Sequence, residues 1–277
     1  MARHGTEELI IVEPVVSPKW FIPPFVAPPQ ERLRRPPGKV TLRRRAGTDT
    51  KLEYTETVTF RFRTRFITAA AAIHSHIHPH VLHLNVVPSF MERLVRTAAN
   101  LLPFSLRTRF EALFPEWHLP SRLVLKRYKK EWHREFTTEK ATYDRMKPLQ
   151  GIVVPKCYGE IDYQGTRALL LSDVGGENLA TAEGATLEVA DLRRMLHDAF
   201  SALAQFGVFP DDIKLDNLHV VGDKIIPLDF EIVNENLSDE ILASHIEDDV
   251  DYLTERYEDN QHFFWTEGRI KVDTGNS

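Results

Sequence analysis

The stretch FPDDIKLDNLHVVGDKIIPLDFE, residues 209 to 231, constrains what this chain can fold into more than any other. It follows an apolar stripe at helical spacing, made by Leu187, Leu192, Met195, Leu196, Ala199, Leu203 and Phe206. Such a stripe gives a long helix one buried face. Next come LHVV and KIIPLDF, two short strand patterns joined at Gly222–Asp223, a junction of hairpin type. Polar groups stand round this hairpin at fixed spacings. Asp212 lies five residues before Asn217, with Lys214 between them, and Asp229 follows twelve residues after Asn217. An amide and a carboxylate are both hard oxygen donors, the kind Mg²⁺ takes up when it also binds phosphate oxygens. Asp211 is a competing acid, but the spacing to Asn217 selects Asp212; Asp216 reads as a loop or cap residue.

Length and composition leave an ordinary globular chain. With 277 residues there is enough sequence for one two-lobed domain or two small ones. A formal net charge of −5 gives no global reason to expect nucleic acid as a partner. The single cysteine, Cys157, excludes an internal disulfide and fits either a reducing compartment or indifference to redox. The longest apolar run, FITAAAAI at 66 to 73, is less than half of a membrane span. Glu7 and Glu8 stand ahead of the first apolar patch, which does not read as a secretory signal. An intracellular, by default cytoplasmic, protein without membrane or nucleic-acid partners is the expectation.

Eight prolines between Pro14 and Pro37 remove backbone donors and favour extended chain, so residues 1–48 read as a flexible tail. Its aromatics, Trp20, Phe21 and Phe25, are either solvated or docked. VTFRFRTRF alternates, with Val58, Phe60, Phe62 and Phe66 on one face and Arg61, Arg63 and Arg65 on the other, the pattern of one half-buried strand. Residues 89–101 and 105–114 carry helical spacing, Ser89 and Glu92 forming a capping-box pattern. RLVLKRY (122–128) and RALLLS (167–172) read as strands and 133–147 as a helix with Phe136, Tyr143 and Met146 on one stripe. SDEILASHIEDDVDYLTERY reads as one amphipathic helix.

The spacing of Asp212, Asn217 and Asp229 resembles the catalytic loop and metal segment of the protein-kinase-like superfamily, H-R-D-x-x-x-x-N and D-F-G. Together with LQGIVVPKCYGEI, and with Tyr143 four residues after Glu139, the pattern looks like the short, divergent kinase-like proteins of filamentous fungi. The resemblance covers about residues 120–260 and implies a two-lobed α+β fold. Its N-lobe (49–171, with a helical insertion) is divergent, and its helical C-lobe (172–277) is truncated. It implies ATP and Mg²⁺ as cofactors and transfer of the γ-phosphoryl group to a hydroxyl acceptor, protein Ser/Thr or a small molecule. Under it, Asp212 orients the acceptor hydroxyl and Lys214 neutralises the transferred group, while Asn217 and Asp229 hold the metal. Lys126 in LVLKRY clamps phosphate, and Glu139, on the stripe of Phe136 and Tyr143, points inward to pair with it. Glu135 lies off that stripe. Ser172, Asp173 and Val174 form the adenine-binding linker, Gly175 and Gly176 release the chain into the next helix, and Asn178 is a candidate cap.

The departures are specific. The histidine and arginine of H-R-D are Pro210 and Asp211, so control through a phosphorylated activation segment is not expected. The glycine of D-F-G is Glu231. No glycine occurs between Gly47 and Gly151, which removes the glycine-rich phosphate loop. Only 48 residues follow Asp229, without A-P-E. Asp249 is a candidate brace for the catalytic loop. These losses leave open a pseudokinase, a nucleotide-binding or protein-interaction scaffold without turnover. HSHIHPHVLH (74–83) holds five of the twelve histidines. Four alternate, as ligands of a transition metal would on a strand, but Pro79 interrupts them and a solvated loop cluster is the competing reading.

Overall fold

The computed structural model describes residues 38–43, 56–75, 78–234 and 238–273. The elements in chain order are β1 (Lys39–Leu42), β2 (Glu56–Phe62), β3 (Arg65–Ile73), β4 (Val81–Val86), α1 (Phe90–Asn100), α2 (Phe104–Leu113) and β5 (Arg122–Arg127). Then follow α3 (His133–Arg145), β6 (Cys157–Tyr163), β7 (Thr166–Ser172), β8 (Glu177–Asn178) and α4 (Val189–Ala204). The last are β9 (Phe209–Pro210), β10 (Leu218–Val221), β11 (Lys224–Pro227), β12 (Val233–Asn234), α5 (Asp239–Thr266) and β13 (Ile270–Asp273). Helices and an antiparallel sheet together make this an α+β fold. No described helix is long and apolar enough to cross a membrane.

Among the described residues, six strands make an antiparallel sheet in the order β2-β3-β4-β5-β7-β6. The sheet curls until β2 and β6 approach each other. The inner face of the curl is a core of its own, with Val58, Phe60, Ile67, Leu84, Leu123, Leu125 and Leu170 buried together. Its other face packs against a second core, where Phe136 and Tyr143 of α3 meet Leu192, Leu196 and Leu203 of α4 and Val250, Leu253 and Tyr257 of α5. Those residues recur at three- and four-residue spacing, which places one apolar stripe of each helix inward. Tyr257 fixes the start of α4, its hydroxyl accepting from Leu187 N at 2.8 Å and donating to Gly184 O at 3.0 Å.

Three expectations are corrected. The segment VTFRFRTRF is not one strand. It turns at Arg63, whose φ is +54°, so that Phe62 faces Arg65 and Arg61 faces Phe66. A two-residue turn resets the register, and Phe66 is left 73% exposed while Val58, Phe60 and Phe62 are buried. Arg65 is consequently not on the outer face. It stacks over Trp117 at 4.0 Å, donates to Glu116 O at 2.7 Å and pairs with Glu92 at 3.3 Å. Ser89 caps α1 by accepting from Glu92 N, and the buried Glu92 carboxylate also takes Arg96 at 2.6 Å.

The expected tail is strand over Lys39–Leu42, because β13 offers a matching edge; 1–37 and 44–48, with Trp20, Phe21 and Phe25, lie outside the described residues. Finally, the chain beyond the linker does not enter a helix. Gly176, at φ +71°, brings its backbone against Val220 O, where a Cβ would stand only 2.2 Å away. This close approach lets β8 pair with β10, and the side chain of Asn178 serves a turn instead of a helix cap, accepting from Ala180 N at 2.8 Å. The C-terminal helix runs longer than its pattern, through Thr266.

Candidate active site

Lys126 sits at the end of β5 with its side chain on the face that meets α3. Its neighbours Leu123 and Leu125 point into the curl, so alternation along the strand sends Val124 and Lys126 the other way. Glu139 stands on the inward stripe of α3 and is 1% exposed at its side chain. Lys126 Nζ donates to Glu139 Oε1 at 2.8 Å and to Asp229 Oδ1 at 2.9 Å, although 103 residues separate Lys126 from Asp229. Glu231 Oε1 lies 3.1 Å from the same ammonium, and Glu231 Oε2 accepts from Lys129 at 2.6 Å.

Burial by itself would depress the Lys126 pKa, but Glu139, Asp229 and Glu231 outweigh it and raise it, so the lysine is charged. Burial is the largest influence on Glu139 and raises its pKa, with the ammonium pulling the other way. For Asp229 burial also raises, yet Lys126 prevails and the net shift is downward. Three carboxyl groups thus surround two lysines, with the oxygens of Glu139, Asp229 and Glu231 all within 4.8 Å of one another.

The segment carrying Asp229 and Glu231 is anchored from the opposite side. Phe230 points inward, fully buried, and meets Tyr143 edge-on at 5.5 Å. Tyr143, one turn beyond Glu139, also has its hydroxyl 3.5 Å from Leu228 O. One helix face thus holds both the lysine's partner and the apolar hook of the acidic segment. Asp229 Oδ1 accepts from Glu231 N at 3.1 Å, which folds the two acids toward the same side.

Asp212, Lys214 and Asn217 lie together on the loop between β9 and β10. Lys214 Nζ donates to Asp212 Oδ2 at 2.8 Å, and Asn217 Nδ2 donates to Asp212 O at 3.1 Å. Both side chains of the Asp212–Lys214 pair are about half exposed. Asn217 O accepts from Leu228 N at 3.0 Å, which sets this loop next to Asp229, and Lys214 lies within electrostatic reach of that carboxylate. On the other side, the Ser172–Asp173–Val174 linker continues from β7. Ser172 Oγ accepts from Lys156 N at 2.9 Å. The Asp173 carboxylate is drawn into the sheet, accepting from Arg122 at 2.8 Å and from Gly175 N at 2.8 Å, with His83 Nδ1 3.5 Å away. Asp173 is thus part of the linker's own bracing and stands apart from the three-carboxylate group.

Glu231 and Lys129 are the residues that sequence reasoning did not assign to the site. Glu231 was legible only as a missing glycine; two residues from Asp229 in an extended acidic pair, it carried a signal in its charge. Asp249, considered as a brace, has a buried Oδ2 with no hydrogen-bond partner. Burial pushes its pKa up to about 6, Asp248 and Asp211 adding to this and His245 opposing it. A folded pKa above the unfolded value of about 3.9 means the ionised carboxylate costs stability above pH 6 and costs nothing near pH 4. Asp249→Asn should therefore stabilise the protein by about 1 kcal/mol at pH 7.5, discounted for partial exposure. The gain should vanish at pH 4, as chemical denaturation at the two pH values would register.

Residues 111–224 match the phosphotransferase enzyme family (APH). The matched span runs from before Lys126 past Asn217 and ends short of Asp229. A solved structure, the kinase PK-1 of Cydia pomonella granulovirus, is similar over 41% of this chain and 44% of its own, at 17% identity and a TM-score of 0.34. The chain thus spans less than half the length of that viral kinase. No curated protein matches it. Residues 111–224, less than half of the chain, are thus phosphotransferase-like in sequence.

Proposed function

We propose that this protein is an ATP-dependent phosphotransferase that moves the γ-phosphoryl group to a hydroxyl acceptor. The observation that carries the reading is the ionic cluster in which Lys126 joins Glu139 of α3 to Asp229 of the distant acidic segment. An ammonium held by a buried carboxylate is fixed in position and is ready to exchange Asp229 for a phosphate oxygen. Asp229 and Glu231, with Asn217 on the loop held by Leu228, would supply hard-oxygen donors of the kind magnesium takes. When bound there, the ion would neutralise phosphate oxygens.

Three carboxyl groups face two lysines, so the cluster offers an incoming phosphate no excess of positive charge. A bare triphosphate would gain no net attraction, which favours entry of the nucleotide together with a divalent cation. In the transfer itself, the bond from the γ-phosphorus to the ADP oxygen breaks as a bond to the acceptor oxygen forms. The acceptor's proton passes to the Asp212 carboxylate, whose exposure leaves room for an alcohol. Lys214, already 2.8 Å from Asp212, would offset charge on the group in flight. Protein Ser/Thr and small-molecule alcohols both fit this chemistry.

Thermal unfolding with and without Mg-ATP, on the wild type and on Asp229→Asn, tests the reading. Saturation at a hundred times Kd adds about 2.7 kcal/mol to a protein that binds ligand only when folded. That raises the melting temperature by roughly 5 to 10 °C for a chain of this size. A magnesium-dependent shift lost in the variant supports the site; no shift at millimolar Mg-ATP overturns it. Asp212→Asn should then bind normally but turn over about 10²- to 10⁴-fold more slowly.

A further inference from the structure

The histidine-rich connection between β3 and β4 has no part in the reading above, yet the strand register brings it to the same site. Val81 lies opposite Lys126 and His83 opposite Val124. Paired residues share a face of the sheet, so His83 and Val81 look out on the side where Lys126 meets Glu139 and Asp229. The backbone fixes the end of the connection beside the lysine: His80 O accepts from Arg127 N at 2.8 Å. The His80 ring lies within electrostatic reach of Lys126, Lys129 and Glu231.

From there the described imidazoles follow one another. His80 meets His78 edge-on at 5.8 Å, His78 lies 6.1 Å from His74, and His74 stacks on His83 at 5.1 Å. His74 Nδ1 and His83 Nε2 are 2.8 Å apart, and His83 Nδ1 is 3.5 Å from Asp173 in the linker. The imidazoles therefore run in sequence from beside Lys126 to Asp173 of the linker.

We propose that this row, with His80 and His78 nearest Lys126, is the phosphate-contacting strip of the nucleotide site and replaces the backbone amides of a glycine-rich loop. The proposal rests on the reading of the cleft as a nucleotide site. Glycine loops work because a bare backbone can approach phosphate closely. No glycine occurs between Gly47 and Gly151, and none of the described residues of this connection has a positive φ. In place of such a glycine backbone, this connection offers side-chain donors. Imidazole is suited to the task, because it offers a ring N–H to an oxygen whether neutral or charged. At the same end, two lysines supply positive charge. Loss of one such donor to a charged phosphate should weaken affinity about tenfold.

The test is the affinity of adenosine, ADP and ATP, each with Mg²⁺, for wild type, His80→Ala, His78→Ala and His80→Asn. Melting temperatures without ligand check that each variant is folded, and His78→Ala carries the test if His80→Ala is not. The expected result is that His80→Ala and His78→Ala each weaken ATP about tenfold or more, weaken ADP less, and leave adenosine unchanged. His80→Asn, which keeps an N–H donor, should recover part of the loss. Wild-type affinity for all three ligands in folded His80→Ala and His78→Ala would overturn the proposal while leaving the nucleotide reading intact. Stoichiometric zinc that survives chelation and dialysis, and is lost in His83→Ala, would overturn it in favour of a metal-binding row. A wild type that binds none of the nucleotides would instead overturn the reading of the cleft.

Discussion

Phe230→Ala is expected to lose about 3 to 5 kcal/mol of folding stability, the cost of a large cavity at a fully buried aromatic position. Phe230 is 0% exposed and sits edge-on to Tyr143 at 5.5 Å, itself 1% exposed. Tyr143 is held back from collapsing into the space, because α3 is fixed by Glu139 on Lys126. The loss should exceed that of an aromatic removed from the surface for a second reason. Phe230 is the inward residue between Asp229 and Glu231, so its contact keeps both acids turned toward Lys126. Denaturant unfolding would show a fall in the midpoint with little change in slope. The conservative Phe230→Leu should cost less than about 1.5 kcal/mol. A loss under about 1 kcal/mol for the alanine variant would show that this contact does not hold the segment.

Lys126→Met is expected to cost about 3 to 5 kcal/mol at pH 7 to 8, because it strips the shared cation from the buried Glu139 and the partly buried Asp229 and Glu231. Methionine fills much of the same volume, so the loss isolates charge from packing. The dependence on pH distinguishes this from any other cause. In the wild type, Lys126 lowers the pKa of Asp229 against the opposing effect of burial. In the variant, burial and mutual repulsion raise the carboxylates above their unfolded values of about 4. A group whose folded pKa is raised contributes stability below its unfolded pKa and loses it as pH rises through the folded one. The deficit relative to wild type should therefore narrow toward pH 4 to 5 and widen toward pH 8. An equal deficit at every pH would mean that the lysine acts only by filling space.

Much of this arrangement is written in local periodicity. The stripe Phe136–Glu139–Tyr143 identifies which glutamate of α3 faces inward, because side chains three and four apart share a helix face. The apolar alternation before Lys126 likewise fixes its side of β5. The pairing of LHVV with KIIP around Gly222–Asp223 follows from turn chemistry alone. The sequence misleads where a turn changes the phase of a pattern. Phe66 matched its neighbours' alternation, but the turn at Arg63 sent it outward. Asn178 looked like a helix cap because nothing local reveals that Gly176 lets the chain settle against β10.

By itself, then, the sequence determined the inward faces of α3 and β5, the spacing of Asp212, Lys214, Asn217 and Asp229, and the lack of glycine between Gly47 and Gly151. Each depends on residues close together in the chain. Only the tertiary structure decided that Glu231 joins Lys126 and Lys129 across 102 residues and more, that Asp173 braces the linker against Arg122, and that the histidine row opens beside Lys126. The reason is physical. Local order is set by side-chain period and turn geometry. Which charges meet depends on how a curled sheet and a helical layer close over one another, and no stretch of sequence encodes that alone.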